Sequence, residues 1–189
     1  MYQEDGMSNG RVLLIIGGGI SAYKSLELIR NLARRAIGTR CILTSAGEQF
    51  VTPLSLAALS GEKVYSDLFS LTDETEMGHI ELSRSADLVV VAPATADLIG
   101  KCANGLANDL ASTTLLATDK PVLMAPAMNV RMWQHPAVRR NVETLKSDGV
   151  EFAGPGVGEM ACGEFGPGLM AEPAAIAAAI EGLLSRTSA

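Results

Sequence analysis

Aromatic side chains are scarce in this 189-residue chain, which has one Trp, three Tyr and four Phe. So small a set offers no platform for stacking nucleobases, and it leaves the core to Val, Ile, Leu, Ala and Met. Positive charge is also in short supply. Lys and Arg number 15 against 21 Asp and Glu, a formal net charge of -6, and they never gather into a patch that could neutralise a run of phosphates. Nucleic acid is therefore not an expected partner. Cys41, Cys102 and Cys162 are odd in number and far apart. That fits a reduced, cytoplasmic setting better than a disulfide framework, and the spacing offers no metal site. No apolar run approaches the ~18 residues a membrane span needs. Residues 1–10 are polar, lack a basic flank before an apolar run, and read as a loose tail rather than a signal peptide or anchor.

What is present suits one domain. A chain of this length buries about 70% of its unfolded surface and needs no staples. Charged residues make up 19% of it and apolar ones 48%, so part of the surface is expected to be covered by other subunits. Val12-Leu-Leu-Ile-Ile16 is apolar at every position, as a parallel strand covered on both faces must be. Thr39–Leu43, Asp87–Ala92 and Val122–Ala125 read as further strands. Helices are expected over Ala22–Leu32, from the Thr52-Pro53 cap to Gly61, over Pro136–Ser147, and from Glu172-Pro173 to about Leu184. This alternation predicts an open, doubly wound parallel sheet, with ligands at the carboxyl ends of its strands. One stretch breaks the pattern: residues 154–171, dense in Gly and Pro and carrying Cys162, read as either a linker or a functional flap.

The residues after the strands carry the chemistry. Gly17-Gly-Gly19-Ile-Ser-Ala22 fits G-x-G-x-x-A at a strand-to-helix junction, where backbone N–H groups favour a phosphate. The second strand ends in Thr44-Ser45 rather than in an acid, which points to a mononucleotide rather than a dinucleotide. Pro93-Ala-Thr95 with Ser112-Thr-Thr114, and Met128-Asn129, complete the candidate pocket, although several of these hydroxyls also suit plain helix caps. On its own, His79 reads more readily as structural than as catalytic, and His135 reads as cap material. A thiol in a glycine-rich loop has little core to pack into, so Cys162 is a candidate proton donor, whereas Cys41 and Cys102 are core filler.

Gly17-Gly-Gly-Ile-Ser-Ala-Tyr-Lys24, Gly78-His-Ile80, Pro126-Ala-Met-Asn129, and Ala161-Cys-Gly163 with the following Gly166-Pro-Gly168, together resemble the flavin-dependent cysteine decarboxylases. The motifs stand in that family's order, and the likeness covers Arg11 to Leu184. It is strongest to the coenzyme A branch, which converts 4'-phosphopantothenoylcysteine to 4'-phosphopantetheine. The resemblance implies a flavodoxin-like, Rossmann-like three-layer fold over residues 11–189, FMN as cofactor, and a homotrimer or larger assembly of trimers with flavin at the subunit interface. It assigns Gly18, Gly19, Ser21, Thr44, Pro93, Ala94, Thr95, Ser112, Thr113 and Thr114 to FMN binding. Met128, Asn129, Ala161, Cys162 and Gly163 fall to the substrate. Asn129 is implied to hold the carboxylate, His79 to be the active-site histidine, and Cys162 to be the acid that protonates an enethiolate formed by way of a thioaldehyde. Two alternatives stay open, a peptidyl-cysteine decarboxylase and a non-catalytic FMN-binding regulator; the 17–24 segment disfavours the first, and the presence of both His79 and Cys162 the second. Leu169 stands where family flaps commonly carry arginine. The end at Ala189 fits either a stand-alone enzyme or one half of a bifunctional protein.

Overall fold

The computed structural model describes residues 9–68, 79–161 and 163–187. Its main sheet has six parallel strands, β1 Arg11–Ile16, β2 Gly38–Leu43, β3 Val64–Tyr65, β4 Leu88–Ala94, β5 Val122–Pro126 and β6 Glu151–Phe152, in the order β3-β2-β1-β4-β5-β6. The four strands expected from apolar runs are found with ends shifted by one or two residues. β3 and β6 are two-residue edge strands, too short for any periodicity to reveal. Without β3 the order is the five-stranded flavodoxin arrangement, and the chain reverses direction across the sheet between β1 and β4. The fold is flavodoxin-like.

Eight helices are described: α1 Lys24–Ala33, α2 Pro53–Ser60, α3 His79–Arg84, α4 Ala96–Ala103, α5 Leu110–Ala117, α6 Val130–Gln134, α7 Pro136–Ser147 and α8 Pro173–Thr187. Strand alternation on β1 sends Val12, Leu14 and Ile16 into a core closed by Leu28 and Leu32 of α1, Leu56 of α2, and Ile176 and Ile180 of α8. Leu13 and Ile15 enter the opposite core, against Leu82, Leu98, Leu115 and Val142 of α3, α4, α5 and α7. Each such fully buried aliphatic contributes roughly 1.5–3 kcal/mol. Among the described residues both faces of the sheet are thus covered by helices, which leaves the strand ends to a ligand.

The helix signals are realised in detail. The Thr52 hydroxyl accepts the Ser55 N–H at 3.1 Å with Pro53 at the first position of α2, and Gly61 ends the helix at φ 71°. His135 caps α7, its Nδ1 accepting the Ala137 N–H at 3.2 Å. The helix expected from Ala22 begins instead as a 3-10 turn over Ile20–Tyr23, because Gly19 supplies no side-chain cap and the first turn tightens. Of the expected tail, residues 1–8 lie outside the described residues. Asn9 is anchored by its backbone N–H to Ala36 and by its side-chain amide to Arg35.

The stretch read as linker or flap is a β-hairpin, β7 Gly156–Glu159 paired antiparallel with β8 Phe165–Leu169. Its period of two is written in glycine rather than in hydropathy: Gly-Val-Gly-Glu and Phe-Gly-Pro-Gly-Leu alternate an absent side chain with a present one. On β8 the glycines face the body. A Cβ on Gly166 would lie 3.0 Å from Val130, and one on Gly168 would collide with the Met128 carbonyl. No larger residue permits so close an approach.

Candidate active site

The loops after β1, β2, β4 and β5 meet at the carboxyl end of the sheet, and glycine governs how closely they meet. A side chain on Gly17 would strike the Pro93 carbonyl at 2.5 Å, one on Gly18 the Ala46 methyl at 2.6 Å, and one on Gly47 the Ile16 carbonyl at 2.7 Å. Gly19 differs. It holds φ 134°, and nothing lies within 4 Å of where its Cβ would be, so its backbone borders open space. The Thr44 hydroxyl donates to the Ile16 carbonyl at 3.0 Å and accepts the Gly47 N–H at 3.0 Å, stitching the first two loops together.

The end of β4 joins the two walls of the site. Its Pro93 carbonyl accepts the Gly17 N–H at 3.2 Å, and its Ala94 carbonyl accepts the Ala127 N–H at 3.1 Å. Ser25, fully buried on α1, donates to the Ala92 carbonyl at 2.8 Å and holds that helix against the same strand. Thr95 then caps α4, accepting the Leu98 N–H at 3.2 Å.

Between these walls runs a cleft of ≈ 230 Å³ lined by Gly19, Ile20 and Ser21, by Ala127, Met128 and Asn129, and by the hairpin residues Met160, Ala161, Gly168 and Leu169. The hairpin is its roof. The Met128 N–H donates to the Gly168 carbonyl at 3.0 Å, and Glu164 of the hairpin meets Arg131 of α6 at 3.1 Å. Asn129 sits at the rim with its amide divided between two tasks. Its Oδ1 accepts the Met132 N–H at 2.8 Å as the N-cap of α6, which fixes the flip of the amide and leaves Nδ2 as a donor.

Of the residues expected at the site, Gly19, Ser21, Met128, Asn129 and Ala161 line this cleft. Gly18, Thr44, Pro93, Ala94 and Thr95 do not line it but lie in the loops that its walls are bonded to. Ser112 and Thr114 are buried on α5 with their hydroxyls bonded inside that helix: Ser112 forms a capping box with Asp109, and Thr114 donates to the Leu110 carbonyl at 2.7 Å. The neighbouring Thr113 hydroxyl is buried and has no hydrogen-bond partner. His79 is the first residue of α3, and its side chain lies outside what is described. Cys162 also lies outside the described residues, although its chain neighbour Ala161 lines the cleft. Ile20 and Met160 were not singled out from the sequence. Ile20 carries one usable signal: it is a large apolar residue in a glycine turn, 64% exposed, with no core to serve.

The two described cysteines are not reactive groups. Burial first, and the Glu62 carboxylate second, push the Cys41 thiol up to about 12. Burial and Asp148 raise Cys102 as well. Both remain protonated core filler.

The arrangement fits a flavin mononucleotide on its own terms. A flat, mostly apolar ring matches walls of Ile20, Met128, Met160 and Leu169. A phosphate tail matches a glycine loop with open space above Gly19, beside the Ser21 hydroxyl. Comparison with known proteins agrees. The chain is 48% identical over 170 residues to the coenzyme A biosynthesis bifunctional protein CoaBC of Escherichia coli (strain K12), covering 90% of this chain and 42% of that protein. It is 46% identical over 175 residues to CoaBC of Vibrio vulnificus (strain YJ016), covering 93% and 44%, so it spans less than half the length of these curated relatives. Among solved structures, a PPC decarboxylase mutant complexed with pantothenoylaminoethenethiol superimposes with a TM-score of 0.80 at 32% identity, over 93% of this chain and 98% of that one. The FMN binding protein AtHal3 superimposes with a TM-score of 0.81 at 32% identity, over 94% and 98%. The model of the Flavoprotein family matches residues 2–185, and the chain belongs to that family.

Proposed function

We propose that this chain is an FMN-dependent phosphopantothenoylcysteine decarboxylase, converting 4'-phosphopantothenoylcysteine to 4'-phosphopantetheine in coenzyme A biosynthesis. The observation that carries the reading is the cleft itself, a glycine-loop wall and an Asn129 rim closed by a hairpin whose sequence contains Cys162. The match to CoaBC proteins supports the substrate, and the likeness to a PPC decarboxylase supports the reaction.

The chain's own residues divide the work. Gly19 and the Ser21 hydroxyl form the cofactor wall, which Gly18 and the Thr44 hydroxyl, bonded to Ile16 and Gly47, back from the loops behind it. The Nδ2 of Asn129, kept as a donor by the cap on its other end, holds the substrate carboxylate. When bound, FMN supplies a two-electron oxidation of the carbon bearing sulfur, so that electrons from the breaking carbon–carbon bond have a sink that no side chain provides. Cys162 delivers the proton to the carbon that has lost carbon dioxide, and His79 assists proton movement in the oxidation. The hairpin excludes water while the carbanion equivalent exists.

The size of the cleft supports an assembly. At ≈ 230 Å³ it falls below the ~300–1,000 Å³ of small-molecule sites, and Ile20, Tyr23, Val157 and Phe165 expose large apolar surface nearby. A homotrimer, or a larger assembly of trimers, would complete the flavin site with a second copy, in a cytoplasmic enzyme. The deciding experiment is incubation of purified, FMN-loaded protein with 4'-phosphopantothenoylcysteine, with the product followed by mass spectrometry. Loss of 44 mass units from the substrate is expected. A substrate that stays intact overturns the reading.

A further inference from the structure

The hairpin is held along its length by close contact and at its tip by charge. Gly166 and Gly168 lay β8 against Val130 and the Met128 carbonyl, and the Gly168 carbonyl takes the Met128 N–H. The tip closes on itself, with the Met160 N–H donating to the Glu164 carbonyl and the Gly163 N–H to the Met160 carbonyl, each at 2.8 Å. An ion pair also joins the tip to the body, Arg131 Nε to Glu164 Oε1 at 3.1 Å. Arg131 is the second residue of α6, the helix that Asn129 caps. The pair therefore joins the turn of chain that presents the Asn129 amide to the turn whose sequence contains Cys162.

We propose that Arg131 and Glu164 are a positioning pair for the decarboxylation, setting the hairpin tip over the cleft without touching substrate. The proposal rests on the function proposed above. The Arg131 side chain is 87% exposed and that of Glu164 36%, so water screens the pair and it biases closure rather than locking it. A lid that must admit substrate and release product needs a contact of that modest strength.

The test uses FMN-loaded wild-type protein, Arg131→Gln, Glu164→Gln and the charge-swapped double variant with Arg131→Glu and Glu164→Arg. Each single variant is expected to lower kcat/KM by roughly two- to fivefold, and to release a larger share of oxidised enethiol product because the tip is misplaced when the proton is due. The charge-swapped protein should regain most of the loss. Hydrogen exchange supplies a readout independent of turnover: the Met160 and Gly163 amides should exchange faster in the single variants and return toward wild type in the swap. Unchanged exchange in both single variants overturns the latch even if activity falls. Failure of the swap to restore a KM raised by Arg131→Gln also overturns it, because Arg131 would then be contacting the substrate anion itself. An inactive wild type refutes the proposed function and leaves the exchange arm to judge the pair.

Discussion

Asn129 shows how much chemistry one amide can carry when half of it is already committed. Replacing it with Asp keeps an oxygen to cap α6 but sets an anion where the proposed mechanism needs a donor to the substrate carboxylate. Asn129→Asp is therefore expected to fold and hold FMN while its KM rises about 10- to 100-fold, the scale of a lost hydrogen bond to a charged group. Steady-state kinetics at fixed FMN would check it, and an unaltered KM removes Asn129 from carboxylate binding. For Cys162→Ser the expectation separates the two halves of the reaction. Carbon dioxide is still released, flavin absorbance is retained, and an oxidised enethiol accumulates in the mass spectrum; wild-type yields of the saturated thiol would eliminate Cys162 as the acid. At this scale the polar and glycine residues were legible in the sequence, because Gly17–Ser21 and Met128–Asn129 stand directly after apolar strands. Met160 was not, since an apolar side chain lining a cleft has the same composition as one facing the core, and Ile20 was legible only from its place inside a glycine turn.

Among the elements, the hairpin is held in place by what β8 lacks. In Gly168→Ala the added methyl meets the Met128 carbonyl and the backbone at φ 145° resists a side chain, so β8 must lift. A loss of about 1–3 kcal/mol in stability is expected, read from denaturant unfolding, together with weakened substrate affinity; a variant as stable as the parent would show that the docking is loose. Alternating glycine gave no hydropathic period, and for that reason the hairpin could be read only as a linker or flap. Helices with polar caps were legible nearly to the residue, as Thr52 and His135 show. A second coupling ties α4 to α5. Lys101 of α4 reaches Asp109, the cap of α5, at 2.7 Å. Burial of Asp109 opposes its ionisation, but hydrogen bonds from Lys101 and Ser112 outweigh it and hold the carboxyl below its ordinary 3.8. The Asp109 hydrogen bond, working against burial, raises Lys101 above 10.5. The carboxylate's contribution is therefore complete above pH 3.8 and is lost as pH falls below it. That of the ammonium is complete below pH 10.5 and is lost above it. With the Asp109 side chain 38% exposed, water limits the pair to at most about 1 kcal/mol. Thermal melts of Asp109→Asn should fall below wild type at pH 7 and converge with it toward pH 3; a constant gap would mean that the charge is irrelevant.

For the molecule as a whole, the proposed trimer, which the sparse charge and the exposed Ile20, Tyr23, Val157 and Phe165 favour, predicts that light scattering will return three times the 19.8 kDa chain mass, or a multiple of it. A monomer at micromolar concentration would contradict it. The strand order was half legible: the buried runs named the central strands, while β3 and β6 had too few residues to announce themselves. Their brevity has its own consequence. Each flank of the sheet ends in a strand of two residues, leaving almost no row of unpaired amides on which another polypeptide could template itself. Copies of this chain can therefore join through loops and side chains but not by splicing their main sheets edge to edge, which closes that strand-templated route to fibres.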